Sequence, residues 1–172
     1  MITSTKVNLV PGRSVWQSAV LMAVGFWLSG SLLLDLLVMP AMYASGMMTQ
    51  PGFASAGYSL FWIFNRLGLL CVAIAFVGLL SLLRQHKVAG WAIAAAWLLL
   101  GITFALTYVM TPVMGGLAMP LDGLTSEASI PSSMAQMHGI YWVLELVKLG
   151  LSAALLVAVG RPFPGDRLEA SH

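Results

Sequence analysis

Four long apolar runs constrain the fold of this chain more than any other feature of its sequence. They extend over residues 15–39, 58–83, 88–110 and 137–159. Each run is long enough for a helix that crosses the ~30 Å hydrocarbon core of a bilayer. Charged residues make up only 8% of the chain, whereas a soluble domain carries about 25%. The sequence therefore predicts an all-α integral membrane protein, a four-helix transmembrane bundle that forms one domain over residues 1–172.

The distribution of Lys and Arg predicts how the bundle is oriented. The Lys and Arg residues outside the runs precede the first run, lie between the second and third, or follow the fourth. They are Lys6, Arg13, Arg84, Lys87, Arg161 and Arg167. The two other loops, about 40–57 and 111–136, contain no Lys or Arg. Because cytoplasmic loops carry the excess of these residues, both termini are predicted to be cytoplasmic and the two longer loops to lie outside. The net charge of +2 therefore indicates orientation and no nucleic-acid partner.

Two prolines and the absence of an obvious repeat complete the predicted organisation. Pro40 and Pro112 follow the first and third runs, and each is predicted to end or kink its helix. The sequence shows no evident internal repeat.

Four ionisable side chains lie well inside the runs: Asp35, Arg66, Glu145 and Lys148. A charge within the hydrocarbon is costly unless it is paired, and two acids with two bases can form a neutral set. At 100° per residue, Glu145 and Lys148 share one polar stripe of the fourth helix with His138. We expect a buried ion-pair network in which Arg66 pairs with Asp35, Glu145 or both. A proton or ion relay is the alternative interpretation.

Methionine is concentrated at the outer side of the predicted bundle. Nine of the eleven methionines lie at outer helix ends or in outer loops: Met39, Met42, Met47, Met48, Met110, Met114, Met119, Met134 and Met137. Thioether and imidazole groups are ligands that suit Cu(I). One hypothesis is a Cu(I) site formed by His138 with Met39, Met42, Met110, Met114 and Met134. The alternative is that these side chains fill the mouth of the bundle by packing.

Two segments resemble a known group of proteins. They are GFWLSGSLLLDLLVMPAMY, residues 25–43, and FWIFNRLGLL, residues 61–70. Both resemble the first two helices of small four-helix bacterial membrane proteins of unknown function, which are similar to the membrane domain of copper-resistance D-type proteins. The sequence also resembles cyanobacterial members of this group. The resemblance implies a helical bundle in a bacterial plasma membrane or a thylakoid membrane, with a link to copper or to membrane redox complexes. Asp35 departs from the group, in which that helix is usually apolar.

The residues favour some functions over others. The chain has no nucleophile–base pair and no carboxylate–His spacing typical of a metalloenzyme, so an enzyme is not predicted. Cys71 is the single cysteine, which excludes a disulfide-exchanging membrane enzyme. The favoured function is an accessory or assembly component of a larger respiratory or photosynthetic complex, with other membrane subunits or a second copy as partners. The alternatives are a Cu(I)-handling protein and a small transporter or proton relay.

Overall fold

The chain forms four long helices in a computed structural model that describes residues 15–47, 50–118 and 132–161. Within these residues, every element of regular secondary structure is a helix. All four helices are long and apolar enough to cross a membrane: α1 (Val15–Ala44), α2 (Phe53–Arg84), α3 (Gly90–Ala118) and α4 (Ser132–Gly160). The predicted all-helical fold with four membrane-length helices is confirmed.

The helices pack in a ring in which each contacts two neighbours. Helix α1 packs against α2 and α4, and α3 packs against the same two helices. The tight link between Arg84 and Gly90 turns α2 back into α3 as an antiparallel hairpin. We call the end of the bundle that holds Val15, this link and Gly160 the terminal end. The opposite end, where α1 and α3 finish, is the methionine end.

The interior holds its largest apolar cluster near the terminal end, and most of its buried polar side chains lie towards the methionine end, beside a smaller apolar cluster around Leu106 and Met110. Gln17 is also buried, at the terminal end, where its Nε2 donates to the carbonyl of Val159 at 2.7 Å. The apolar part packs Val20 and Val24 of α1 against residues of the other three helices, including Leu79, Leu99 and Leu155. Gly78 makes this close packing possible, because a Cβ there would lie 2.5 Å from a methyl carbon of Val20. The polar part contains these buried side chains: Ser31, Asp35, Asn65, Thr103, Thr107, Thr111, Glu145, Lys148 and Ser152.

The sequence predicts that Pro40 and Pro112 end or kink their helices; neither proline ends its helix, and each follows a π-helical turn. Proline lacks an N–H and its ring clashes with the carbonyl four residues earlier. Both helices avoid this conflict with a π-helical turn just before the proline, Leu34–Val38 in α1 and Leu106–Met110 in α3. In these turns the N–H of Met39 donates to the carbonyl of Leu34, and that of Thr111 to the carbonyl of Leu106. The wider turn removes the clash, and both helices continue.

Helix α1 diverges from the bundle beyond its π-helical turn. Its last segment, Met39–Ala44, buries no residue and does not approach the backbone of α2, α3 or α4. Among the described residues, this segment of α1 therefore stands apart from the other three helices.

The two halves of the chain have matching inward faces. Buried positions of α1 correspond to buried positions of α3 at constant spacing: Val20 to Ala92, Val24 to Ala96, Trp27 to Leu99, Ser31 to Thr103 and Asp35 to Thr107. Those of α2 correspond in the same way to α4: Gly68 to Glu145, Cys71 to Lys148, Ala75 to Ser152 and Leu82 to Val159. The inward faces of α1 and α3, and those of α2 and α4, therefore follow the same spacing of buried positions.

Candidate functional site

A buried ion pair on α4 lies at the centre of the candidate site. Lys148 Nζ is 2.6 Å from Glu145 Oε1, and each residue is 1% exposed. Residues three apart on a helix are neighbours on its surface, so α4 alone positions this pair. A contact this short between an ammonium and a carboxylate is a charge-assisted hydrogen bond.

Asp35 of α1 joins this pair from across the bundle. Its carboxyl group lies within hydrogen-bonding reach of the Glu145 carboxyl, and the residue is 5% exposed. Two carboxylates are acceptors only, so a hydrogen bond between them requires that one carries a proton. With one proton shared by the two acids, and with the ammonium of Lys148, the cluster has no net charge. We refer to Asp35, Glu145 and Lys148 as the buried triad.

The indole of Trp27 forms the floor beneath the ammonium of the triad. Lys148 Nζ lies 4.5 Å from the centroid of that ring, a cation–π geometry. The opposite face is covered by Phe64 of α2, whose ring stacks on Trp27 with centroids 4.7 Å apart. Gly68 makes room for the indole, since a Cβ there would lie 2.1 Å from a ring carbon. Helices α1, α2 and α4 therefore build this site together.

Helix α3 contributes a row of buried threonines. The hydroxyls of Thr103 and Thr107 donate to the carbonyls of Leu99 and Thr103 at 2.8 and 2.6 Å. That of Thr111 donates to the carbonyl of Leu106 at 2.7 Å. Because each hydroxyl donates to its own helix, its oxygen remains an acceptor for the interior, and Asn65 Nδ2 donates to Thr111 Oγ1 at 3.1 Å. The polar interior thus extends from the level of the triad towards the methionine end.

Several buried polar atoms of this region lack a hydrogen-bond partner among the described residues. They are Trp27 Nε1, Ser31 Oγ, Asp35 Oδ2, Asn65 Oδ1 and Glu145 Oε2. Two belong to the carboxyl pair, where a shared proton would supply a donor. Unpaired buried polar atoms are rare in proteins, so this region is the least satisfied part of the described core.

Arg66 does not belong to the triad, contrary to the prediction from sequence. It is exposed, and its guanidinium lies 4.2 Å from the centroid of the Trp62 ring. The ring of Trp62 in turn packs against Tyr58 and Tyr108. The neighbouring Asn65 faces the interior, and successive helical residues differ by about 100° in direction. Arg66 therefore points outwards, and the expected pairing with Asp35 or Glu145 is not formed.

The methionines divide into separate groups. Met110 is buried, and Met114 and Met137 pack against the same apolar cluster. Met134 is also buried, whereas Met39 and Met42 lie on the diverging end of α1, outside that cluster. His138 is exposed, and its Nδ1 lies 2.9 Å from the carbonyl oxygen of Met134. The structure thus places Met110, Met114 and Met137 around one apolar cluster without His138, while Met48 and Met119 lie outside the described residues.

Sequence reasoning identified the charged members of the site and missed one aromatic member. Trp27 was not singled out, although Trp27, Ser31 and Asp35 recur every four residues and so share one face of α1. That spacing was the available signal.

Comparison of the chain with protein-family models, with curated proteins and with solved structures finds no match.

Proposed function

We propose that this chain is a non-enzymatic integral membrane protein that serves as an accessory or assembly component of a larger membrane complex, with both termini in the cytoplasm. The proposal rests on one observation, a groove on the outer surface of α3 and α4.

The groove has a volume of about 410 Å³ and lies towards the terminal end. Its lining consists of Trp91, Ala153, Ala154, Val157, Ala158 and Arg161. Ala154 and Ala158 are one turn apart, and such small residues allow two membrane helices to approach closely. Trp and Arg are typical of the membrane–water interface, so Trp91 and Arg161 place this end of the groove at the membrane surface. A transmembrane helix of a partner subunit fits these features.

The charges of the interior support the same function. Glu145 compensates the charge of Lys148 at 2.6 Å, so this lysine needs no bound anion or substrate as its partner. A core that supplies its own partner for a buried lysine is suited to a protein that acts through its surface.

The experiment isolates the tagged chain from its own membrane in a mild detergent and measures the mass of the complex. Ala154→Leu with Ala158→Leu fills the groove, and Ala73→Leu with Ala94→Leu is the matched control at exposed positions outside it. We expect the groove variant to lose the complex and the control to keep it. A parent chain that runs alone, or a complex that survives in the groove variant, would contradict the proposal.

A Cu(I)-handling protein is the second candidate, favoured by the packing of Met110, Met114 and Met137 around one apolar cluster. Three soft ligands at the methionine end would suit Cu(I). The test is a Cu(I) titration against a competing chelator, with Met110→Leu and Met114→Leu as the variant. Met22→Leu is the matched control, because Met22 is 75% exposed in the other half of the bundle. Equal binding by parent and variant would leave these methionines as packing residues.

A further inference from the structure

We propose that Asp35 and Glu145 form a proton-binding site that holds one proton between their carboxyl groups and exchanges it through the methionine end only. This goes beyond the accessory function and does not depend on it.

The groups that face the site contribute unequal numbers of acids and bases. Helix α1 contributes Asp35, and α4 contributes Glu145 and Lys148, with Tyr141 also near both acids. On its inner face α2 offers Cys71, and α3 presents threonine hydroxyls among the described residues. One ammonium faces two carboxyl groups, so the fully ionised site carries one uncompensated negative charge. An uncompensated charge is strongly disfavoured in a buried environment, and one bound proton removes it.

The two carboxyl groups differ in their distance from a cation, and this difference determines which of them holds the proton. Glu145 Oε1 already accepts a charge-assisted hydrogen bond from the ammonium of Lys148 at 2.6 Å. Asp35 has no cation at such a distance among the described residues. The proton therefore resides on Asp35, whose hydroxyl donates to the Glu145 carboxylate.

The polar side chains near Asp35 provide a route for a proton from one end of the bundle. Asp35 lies within the π-helical turn of α1, at the point beyond which α1 diverges from the other helices. Turns of this kind are frequent at functional sites. From here the polar side chains of Thr107, Thr111 and Asn65 line the interior towards the methionine end. Towards the terminal end, beyond Ser152, the core is packed with apolar side chains as far as the buried Gln17, whose Nε2 donates to the carbonyl of Val159. These apolar side chains are Val20, Val24, Val72, Leu79, Leu155 and Val159. A proton can thus enter and leave at one end without crossing the bundle.

The experiment is infrared difference spectroscopy of the protein in liposomes, which detects the C=O stretch of a protonated carboxyl group. The outside pH alone is stepped, in preparations selected for either orientation. We expect a protonated-carboxyl band that shifts in D₂O and responds only to a step on the methionine side. A band that is absent, or that responds to the terminal side, would overturn the proposal.

Variants assign the band and separate proton binding from folding. Asp35→Asn keeps a donor for Glu145 and should fold like the parent without the band. Glu145→Gln leaves Asp35 as the only partner for Lys148, so Asp35 ionises and the band is again lost. Glu127→Gln removes a carboxyl group from the segment of sequence between α3 and α4 and should leave the band unchanged. A band that persists in Asp35→Asn would refute the assignment. If that variant does not fold, a band that persists in Glu145→Gln would refute it equally.

Discussion

Substituting Gly68 by alanine tests whether Trp27 is held in a single position beneath Lys148. An ideal Cβ on residue 68 would lie 2.1, 2.4 and 2.5 Å from three carbons of the indole ring. Carbon atoms in contact are separated by about 3.5–4.0 Å. Either the indole or the backbone of α2 must therefore move by more than ~1 Å from its place, by comparison with these contact distances.

The magnitude follows from what the indole loses when it moves. Overpacking a core costs about 1–3 kcal/mol. A displaced ring also weakens its stacking on Phe64, worth about 0.5–1.5 kcal/mol, and its cation–π contact with Lys148, worth roughly 2 kcal/mol when desolvated. Alanine gains about 1 kcal/mol over glycine in a helix. We expect Gly68→Ala to lower the free energy of unfolding by about 2–4 kcal/mol, allowing for partial retention of these contacts.

The assay is reversible unfolding of the purified protein in mixed micelles, followed by circular dichroism. Gly101→Ala and Gly150→Ala are matched controls, because a Cβ at either position meets nothing within 4 Å. They should be neutral or stabilising. Trp27→Leu makes room for the new methyl group, so the double variant should lose less stability than the sum of the two single variants. If Gly68→Ala is as stable as the controls, the indole is not held between α2 and Lys148.

Three further predictions concern other parts of the bundle. Arg66→Leu should lower the free energy of unfolding by at most about 1 kcal/mol, because it removes only an exposed cation–π contact. Loss of the folded state in the same unfolding assay would contradict this and would indicate that Arg66 forms a buried ion pair. Thr111→Val keeps the shape of the side chain and removes two buried hydrogen bonds, so we expect a loss of about 1–3 kcal/mol, and an unchanged midpoint would contradict this reasoning. Single cysteines at positions 45 and 85, in a Cys71→Ala background, should be labelled from opposite sides of the membrane, with position 85 cytoplasmic; labelling of both from one side would refute the topology.

The number and type of the helices could be predicted because membrane-length apolar runs have few alternative structures. Their ends could not. The third run was expected to end at residue 110, whereas α3 continues to Ala118. A proline in a sequence predicts a break, and only the backbone reveals the π-helical turn that absorbs it.

The charged residues that form the candidate site could be found from the sequence, but the direction in which each side chain points could not. Asp35, Glu145 and Lys148 are conspicuous because charged residues are rare in apolar runs. Arg66 is equally conspicuous and lies at a suitable depth, but depth does not determine which way a side chain points. Trp27 is inconspicuous, since a tryptophan in an apolar run is equally compatible with lipid and with the core.

The matching hairpins have a consequence for how a single proton can be held in this core. Two identical hairpins assembled as a dimer would repeat every inward position, so any acid or lysine would occur twice about the symmetry axis. One covalent chain is free of this restriction, because each of its halves can place a different residue at an equivalent position. Here Asp35 has Thr107 as its counterpart, Glu145 has Gly68 and Lys148 has Cys71. Because the two halves of this chain carry different residues at corresponding inward positions, one lysine and two acids, an odd set of charges, can lie together in the bundle.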